Sequence, residues 1–211
     1  MTALERDTRA ETIRSRLLPL VLTIVIIAAD QISKTLVSAM ITRYETTRVT
    51  VSVLGEFLRF IHVRNPGIAL SIGRGLSEGV RRILFIVLPS LVITALAIYY
   101  ARSDEFTRLQ RWAIAGIFGG GIGNLIDRIF RVDGVVDWVD FRFFGILGWE
   151  RFPTFNIADA TTTTCGIMLL ITILFHRPQQ ANQVGEAESP AQTELPEESP
   201  TRMPENGDTD E

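Results

Sequence analysis

The sequence predicts a mainly helical membrane protein with four transmembrane helices and a small β-structured region outside them. Mean hydropathy is positive (+0.22) although 21% of the residues are charged, so the charges must be segregated. Residues 178–211 carry nine acidic side chains and one basic one, whereas residues 1–177 carry 15 acidic and 20 basic side chains. The apolar residues then gather in runs that suit a bilayer, whose hydrocarbon core of about 30 Å needs roughly 20 residues.

Four apolar runs are the predicted spans, at residues 17–41, 83–100, 112–126 and 157–175. A basic start before the first run is also typical of a signal peptide. No small-x-small cleavage site follows cleanly, however, and the apolar pattern continues to Ile41, which favours a retained helix. Pro89 is a candidate kink in the second run. Small residues four apart in the third run, Gly116 with Gly120 and Gly119 with Gly123, favour close helix packing.

The connections between the spans contain predicted strands. Residues 47–53 and 57–63 alternate and are rich in β-branched or aromatic residues, which indicates a hairpin or two short strands, and residues 135–141 alternate with period two. The predicted organisation is an N-terminal segment 1–16, a four-helix domain 17–177 with loops 42–80 and 131–155, and a tail 178–211. Because it is acidic and poor in large apolar residues, the tail is predicted to be disordered.

Composition argues against several functional classes. One cysteine, Cys165, allows neither an internal disulfide nor a thiolate metal cluster, and His62 and His176 are too few for a histidine-based zinc site. The basic residues are spread along the chain, which gives nucleic-acid binding little support. We expect no metal, no organic cofactor and no nucleic-acid partner.

Ionisable residues near or within the spans are the candidates for function, because a charge at the bilayer centre costs at least about 2.5 kcal/mol. Asp30 and Lys34 are four residues apart and share a helix face. Asn124, Asp127 and Arg128 share another face. A purely structural interpretation, an ion pair and a polar network that order the helix ends, stays open for both sets.

Asp137 and Asp159 are the strongest catalytic candidates. Asp137 lies among apolar residues of a predicted strand, where its pKa tends to rise, and Asp159 lies in the first turn of the fourth helix, where the helix dipole favours the ionised form. Two carboxylates in different environments suit an aspartic hydrolase, in which one acts as base and the other as acid. Passage of protons or cations, or a non-catalytic scaffold, is an alternative. A Ser38–Lys34 dyad is disfavoured because Lys34 already neighbours Asp30.

Five segments, in this order, resemble the lipoprotein signal peptidases (signal peptidase II) over roughly residues 17–175. They are DQISK at 30–34, RNPGIA at 64–69, GGGIGNLIDR at 119–128, VVDWVDF at 135–141 and FPTFNIAD at 152–159. The resemblance implies a bacterial inner-membrane aspartic peptidase with four spans and a small extracytoplasmic β-cradle. It also implies cleavage of prolipoproteins just before the cysteine that carries diacylglycerol.

The resemblance assigns residues one at a time. Asp137 and Asp159 match the catalytic pair. Four residues match substrate-binding residues of the family's site: Asn65, Asn124, Arg128 and Asn156. Three match residues that support the site: Asp30, Lys34 and Asp127. Asp140 matches a residue that is not expected to be catalytic. It further implies a monomer in contact with membrane lipid, with both termini cytoplasmic and the active site near the extracytoplasmic face. Pro66, Leu70 and the length of segment 142–152 depart from the family's usual pattern, and the acidic tail is not explained by it.

Overall fold

The computed structural model describes residues 3–67, 76–131 and 133–175, with side chains from Ile13 onwards and Glu78 excepted. The expectations for His176, Leu70 and the tail 178–211 fall outside these residues. Within them, four helical segments are long and apolar enough to cross a membrane: Ile13–Thr47, Gly79–Arg102, Arg108–Phe130 and Ile157–Phe175. The prediction of four spans is confirmed for this part of the chain.

The first span belongs to helix α1, Ala3–Met40, and a one-turn helix α2, Tyr44–Thr47, follows it. At 1.5 Å per residue, the 38 residues of α1 extend about 57 Å, well beyond the hydrocarbon core. The helix therefore starts before the apolar run predicted from residue 17. Residues 3–16 contain neither glycine nor proline, so nothing in their sequence ends the helix there.

The second span is composite. Helix α3, Glu78–Arg82, leads through a π-helical turn, Ile83–Val87, into helix α4, Leu88–Arg102. Pro89 lies in the first turn of α4 and has no N–H to donate to the preceding turn. The structure accommodates the proline predicted to kink this span by widening the turn before it.

Helix α5, Arg108–Phe130, is the central span, and it packs against α1 and against helix α6, Ile157–Phe175. A Cβ atom on Gly120 would collide with Thr162 Oγ1 and the Ala158 carbonyl oxygen, and one on Gly123 would lie 2.8 Å from Asp30 Oδ2. The predicted close packing at the small residues is confirmed. This approach brings the polar residues of all three helices within hydrogen-bonding distance.

The sheet has three antiparallel strands in the order β1 (Val51–Leu54), β2 (Leu58–Asn65) and β3 (Val135–Phe141). β1 and β2 pair as a hairpin, which was one of the two interpretations that the sequence left open, the other being two separate short strands. β1 begins at Val51 rather than at the predicted residue 47, since residues 44–47 are helical. The register of β2 against β3 shifts between Phe60 and Val63, which indicates a β-bulge.

The sheet is held against one end of the helical bundle. Val136 of β3 packs in a buried cluster with Val37 of α1 and with Ile41, which directly follows α1, and Phe60 and Trp138 cover this cluster with rings 4.9 Å apart. β3 is therefore fixed beside the ends of the helices that carry the polar residues.

The outer faces of the helices are apolar and exposed, as lipid contact requires. Leu91 of α4 is 61% exposed and Ile171 of α6 is 50% exposed. By contrast, Asp30, Lys34 and Asp127 have no exposed surface. These three charged residues of the spans therefore point into the bundle.

Candidate active site

Asp137 lies in the middle of β3, opposite Val63 of β2, and only 3% of its surface is exposed. Its two carboxyl oxygens accept hydrogen bonds from neutral amides: Oδ1 from Asn156 Nδ2 at 2.8 Å and Oδ2 from Asn65 Nδ2 at 3.0 Å. Burial, followed by the negative charge of Asp159, raises the pKa of Asp137 to about 7, and the two amide bonds oppose this rise. Asp137 can therefore carry a proton near neutral pH.

Asp159 is held by the start of α6. Its backbone N–H donates to Asn156 Oδ1 at 2.9 Å, and its carboxylate accepts the backbone N–H of Asn156 at 3.3 Å. This reciprocal pair is a capping box in which Asn and Asp replace the usual Ser and Glu. Asn124 Nδ2 donates to the other carboxylate oxygen at 2.7 Å. The N-terminal turn of the helix thus orients the Asp159 side chain.

Asp137 and Asp159 are connected by hydrogen bonds to the same asparagine. Asn156 bonds to Asp137 through its side-chain nitrogen and to Asp159 through its side-chain oxygen and its backbone N–H, so one residue connects both carboxyl groups. Both aspartates, with Asn65, Asn124 and Arg128, line one cavity of about 580 Å³. The structure therefore brings the two predicted catalytic residues together. Each of the four residues predicted to bind substrate either lines the same cavity or forms hydrogen bonds with the pair.

A buried charged cluster, defined as Asp30, Lys34 and Asp127, lies directly behind this site. Lys34 Nζ lies 2.7 Å from Asp30 Oδ2 and 3.1 Å from Asp127 Oδ2. Arg131 Nε, at the edge of the bundle, lies 3.0 Å from the other oxygen of Asp127. The two carboxylates are thus balanced by two cations, which a buried cluster of charges requires.

Lys34 also fixes the orientation of Asn124. Its ammonium group can only donate, and it donates to Asn124 Oδ1 at 2.9 Å. The amide nitrogen of Asn124 must then point the other way, where it meets the Asp159 carboxylate. Lys34 forms no hydrogen bond with Asp137 or Asp159 itself. It nevertheless determines the hydrogen bond that Asp159 accepts from Asn124.

The two carboxylates of the cluster hold the backbone on either side of the site. Asp127 Oδ2 accepts the N–H of Val136 at 3.1 Å, and Asp30 Oδ1 accepts the N–H of Ala158 at 3.0 Å. Val136 directly precedes Asp137, and Ala158 directly precedes Asp159. Each catalytic candidate is therefore anchored through its neighbour to the same buried cluster.

Asp140 has a different environment. Arg59 donates two hydrogen bonds to it, at 2.7 and 3.0 Å, and Arg151 Nε donates to both of its oxygens at 2.7 and 2.8 Å. It is not among the residues that line the 580 Å³ cavity. Its interactions connect β2, β3 and the segment 142–152, in which Ile146–Gly148 form one 3-10 turn.

Gln31 is a member of this network that the sequence alone did not single out. Its amide nitrogen lies 3.2 Å from Asp30 Oδ2, 3.1 Å from Asp127 Oδ1 and 2.9 Å from the Gly123 carbonyl oxygen. An amide within a predicted span is the signal that could have found it, because polar side chains in spans face the bundle interior.

The walls of the cavity were also not predicted. Rings of Phe141, Trp149, Phe152 and Phe155 line one side, and Thr163 and Thr164 of α6 line another. The cavity therefore combines a mostly apolar lining with the polar side chains of the dyad, which is typical of a binding site for an organic ligand.

Known proteins that are similar to this chain point to one family. A family model described as Signal peptidase (SPase) II matches residues 22–175. The lipoprotein signal peptidase of Treponema pallidum (strain Nichols) is 42% identical over 170 residues, covering 81% of this chain and 90% of that protein. That of Treponema denticola is 46% identical over 163 residues, covering 77% and 92%.

Two solved structures share the fold. A bacterial membrane enzyme determined by the in meso method at 1.9 Å resolution is 25% identical, with a TM-score of 0.64 over 76% of this chain and 94% of that one. A second, at 2.3 Å resolution, is 23% identical, with a TM-score of 0.63 over 85% and 94%. With the family match covering most of the described residues, the chain belongs to the signal peptidase II family of membrane aspartic peptidases.

Proposed function

We propose that this chain removes the signal peptide from prolipoproteins that carry a diacylglyceryl-modified cysteine, by cleaving the peptide bond before that cysteine. The observation that carries the proposal is the convergence of Asp137 and Asp159, from a strand and a helix, on Asn156 in one cavity. The names of the relatives, lipoprotein signal peptidases, support the substrate class.

In the proposed mechanism, a water molecule lies between the two aspartates. Asp159, ionised, takes a proton from the water as the water oxygen bonds to the scissile carbonyl carbon. Asp137, which holds a proton because its pKa is about 7, donates that proton to the carbonyl oxygen. The tetrahedral intermediate then collapses: the C–N bond breaks, the proton held by Asp159 passes to the leaving amine nitrogen, and Asp137 recovers its proton from the collapsing hydroxyl group.

The polar residues around the dyad have distinct proposed roles. Asn124 and Asn156 hold the two carboxyl groups, and Asn65 holds the second oxygen of Asp137. The guanidinium of Arg128 has no hydrogen-bond or ion-pair partner among the described residues and lies 5.9 Å from the centre of the Phe85 ring. Because Arg128 lines the same cavity, its donors are available to a substrate carbonyl.

The proposed placement in the membrane follows from the resemblance. Four crossings put the segments before the first and after the fourth span on the same side, which we assign to the cytoplasm. The sheet and the dyad then lie near the extracytoplasmic face. Both members of the dyad come from one chain, which supports a monomeric enzyme. We retain the assignment of residues 17–177 as the peptidase domain.

The test is cleavage in liposomes of a prolipoprotein with and without the diacylglyceryl group, with product masses measured. We expect one cut, directly before the modified cysteine, and little cleavage of the unmodified protein. Asp159→Asn should be inactive while retaining the wild-type thermal unfolding midpoint. A cut elsewhere would contradict the proposed site of cleavage. Absence of cleavage by folded wild type would contradict the proposed substrate, and proton uptake into the same liposomes would then test the transport alternative.

A further inference from the structure

A second cavity, of about 540 Å³, lies beside the dyad cavity, and four arginines line it: Arg81, Arg82, Arg128 and Arg131. None of the described residues that line it is acidic. We call it the arginine cavity. Asn65 and Arg128 line both cavities, so the two are neighbours.

The arginine cavity lies where two spans leave the hydrocarbon. Arg81 and Arg82 belong to the first turns of the span Gly79–Arg102, and Arg128 and Arg131 lie at and just after the end of the span Arg108–Phe130. Arginine side chains at the ends of spans extend to the membrane interface, where the lipid phosphate groups lie. The apolar part of the lining is Phe85, Ile86 and Ile129, and Ile129 is 51% exposed. The cavity thus combines guanidinium groups with an apolar surface toward the lipid.

The charges in this lining are only partly compensated. Arg131 is paired with Asp127 at 3.0 Å. Neither Arg81 nor Arg128 has an ion-pair partner within the described part of the chain; the Arg128 guanidinium lies over the Phe85 ring, and its charge also interacts with those of Asp159, Asp137 and Asp127. Guanidinium groups that line one cavity favour an anion between them. A phosphate group matches the forked geometry of guanidinium donors.

We propose that the arginine cavity binds the phosphate group of an anionic phospholipid, with an acyl chain lying along Phe85, Ile86 and Ile129. The apolar lining and the position at the end of the spans favour a lipid over a free phosphate ion. Because Arg128 also lines the dyad cavity, a bound phosphate fixes a residue of the proposed active site. Binding does not depend on the peptidase reaction, so this inference stands or falls separately from the proposed function.

The test measures lipid binding to the delipidated full-length protein in detergent by native mass spectrometry. The probes are phosphatidylglycerol, phosphatidylcholine and diacylglycerol, which has the chains without the phosphate. We expect phosphatidylglycerol to bind at least about tenfold more tightly than the other two. Arg81→Gln should weaken its binding by about fivefold, and Arg81→Glu should weaken it further. The matched control is Arg102→Gln, at the opposite end of the same span, which should change binding by less than about twofold.

Two results would overturn the inference. One is equal affinity for phosphatidylglycerol and diacylglycerol; the other is an equal loss of binding in Arg81→Gln and Arg102→Gln. Millimolar inorganic phosphate separates the two sources of the anion. If it displaces phosphatidylglycerol completely at a comparable affinity, the cavity is a site for free phosphate and the proposed lipid is wrong. No displacement, together with the loss in Arg81→Gln, supports the lipid. Thermal unfolding of each variant identifies any loss of binding that comes from misfolding.

Discussion

Asp137 and Asp140 lie three residues apart in the same strand and are equally buried, each with 3% of its surface exposed, yet their surroundings differ in kind. Asp137 receives hydrogen bonds from two neutral amides, of Asn65 and Asn156, and faces the charge of Asp159. Asp140 receives hydrogen bonds from two guanidinium groups, of Arg59 and Arg151.

This difference is the basis on which we propose a reactive role for the Asp137 carboxyl group and a structural role for that of Asp140. Neutral amides orient a carboxyl group without supplying the charge that would hold it ionised, so Asp137 can gain and lose a proton near pH 7. Two guanidinium groups donate charge-assisted hydrogen bonds to Asp140, which connects β2, β3 and the segment 142–152. Burial is the same for the two residues, so the charge of their hydrogen-bond donors is the feature on which we propose Asp137 rather than Asp140 as the catalytic residue.

We expect the largest effect from Lys34→Met, which removes the cation of the buried charged cluster behind Asp137 and Asp159. Asp30 and Asp127 would remain buried with only Arg131 to balance them, at a cost of about 3–5 kcal/mol in the free energy of unfolding. Thermal unfolding in detergent, together with cleavage per folded molecule, measures both losses. Arg102→Met is the control, since it removes an exposed cation from a helix. Adding Asp30→Asn to Lys34→Met should recover part of the stability; no recovery would contradict the charge-balance explanation.

Asp140→Asn tests the structural role proposed for Asp140. It should lower the free energy of unfolding by roughly 2–3 kcal/mol, because two partly buried arginines lose their shared anion. Cleavage per folded molecule should stay within about threefold of wild type. Arg142→Gln, which breaks the exposed pair with Glu150, is the matched control and should cost less than about 1 kcal/mol. Equal destabilisation by both variants would contradict the importance assigned to Asp140.

Gly120→Ala tests the packing that brings Asp159 to Asp137 without changing any charge. Its Cβ would collide with the Ala158 carbonyl oxygen, which belongs to backbone, so the start of α6 must move. We expect a loss of about 1–3 kcal/mol in unfolding free energy and slower cleavage. The control is Gly166→Ala in α6, where nothing lies within 4 Å of the added Cβ, and it should be neutral or slightly stabilising. A neutral Gly120→Ala variant would mean that α6 adapts easily.

The smallest effect is a change in pH dependence. Cleavage should fall as pH rises through about 7, because Asp137 loses the proton that it donates. The hydrogen bond from Asn65 lowers this pKa, so Asn65→Ala should move the alkaline limb of the kcat/KM profile to higher pH, by roughly half a pH unit to one pH unit. Ser52→Ala at the hairpin, outside the site, should leave the limb unchanged. A shift to lower pH would contradict the assigned role of Asn65.

The same proton affects stability. Folded Asp137 keeps its proton to a pH of about 7, whereas the carboxyl group in the unfolded chain has a pKa near 3.8. Between these values the folded protein binds more protons, so this residue's contribution to stability is complete below pH 3.8 and is lost as pH rises through 7.

Much of the fold could be predicted from local patterns. The fourth helix begins at Ile157 and ends at Phe175 as expected, and β3 covers the predicted 135–141, because hydrophobic periodicity records which face of a segment is buried. The onset of α1 at Ala3 and the π turn before Pro89 could not be predicted, since neither has a local periodic signal.

The site, like the fold, could be predicted only in part from the sequence. The ionisable residues within or beside the spans were identifiable because such positions are costly, and the resemblance supplied their proposed roles. What the sequence could not predict is how they connect. The bonds of Asp30 to Ala158 and of Asp127 to Val136 join residues far apart in the chain. The amides of Asn65 and Asn156 distinguish Asp137 from Asp140 only after the strands and helices are assembled.

The most direct test of the central claim compares Asp137→Asn with Asp140→Asn in one liposome assay of diacylglyceryl-prolipoprotein cleavage, with rates expressed per folded molecule. Each substitution keeps the side-chain shape and removes one carboxyl group from the same strand. We predict that Asp137→Asn lowers kcat/KM by at least about 10³-fold, and that Asp140→Asn changes it by less than about threefold. Near-wild-type cleavage by Asp137→Asn, or an equal loss in both folded variants, would contradict the assignment of Asp137 and Asp159 as the catalytic pair.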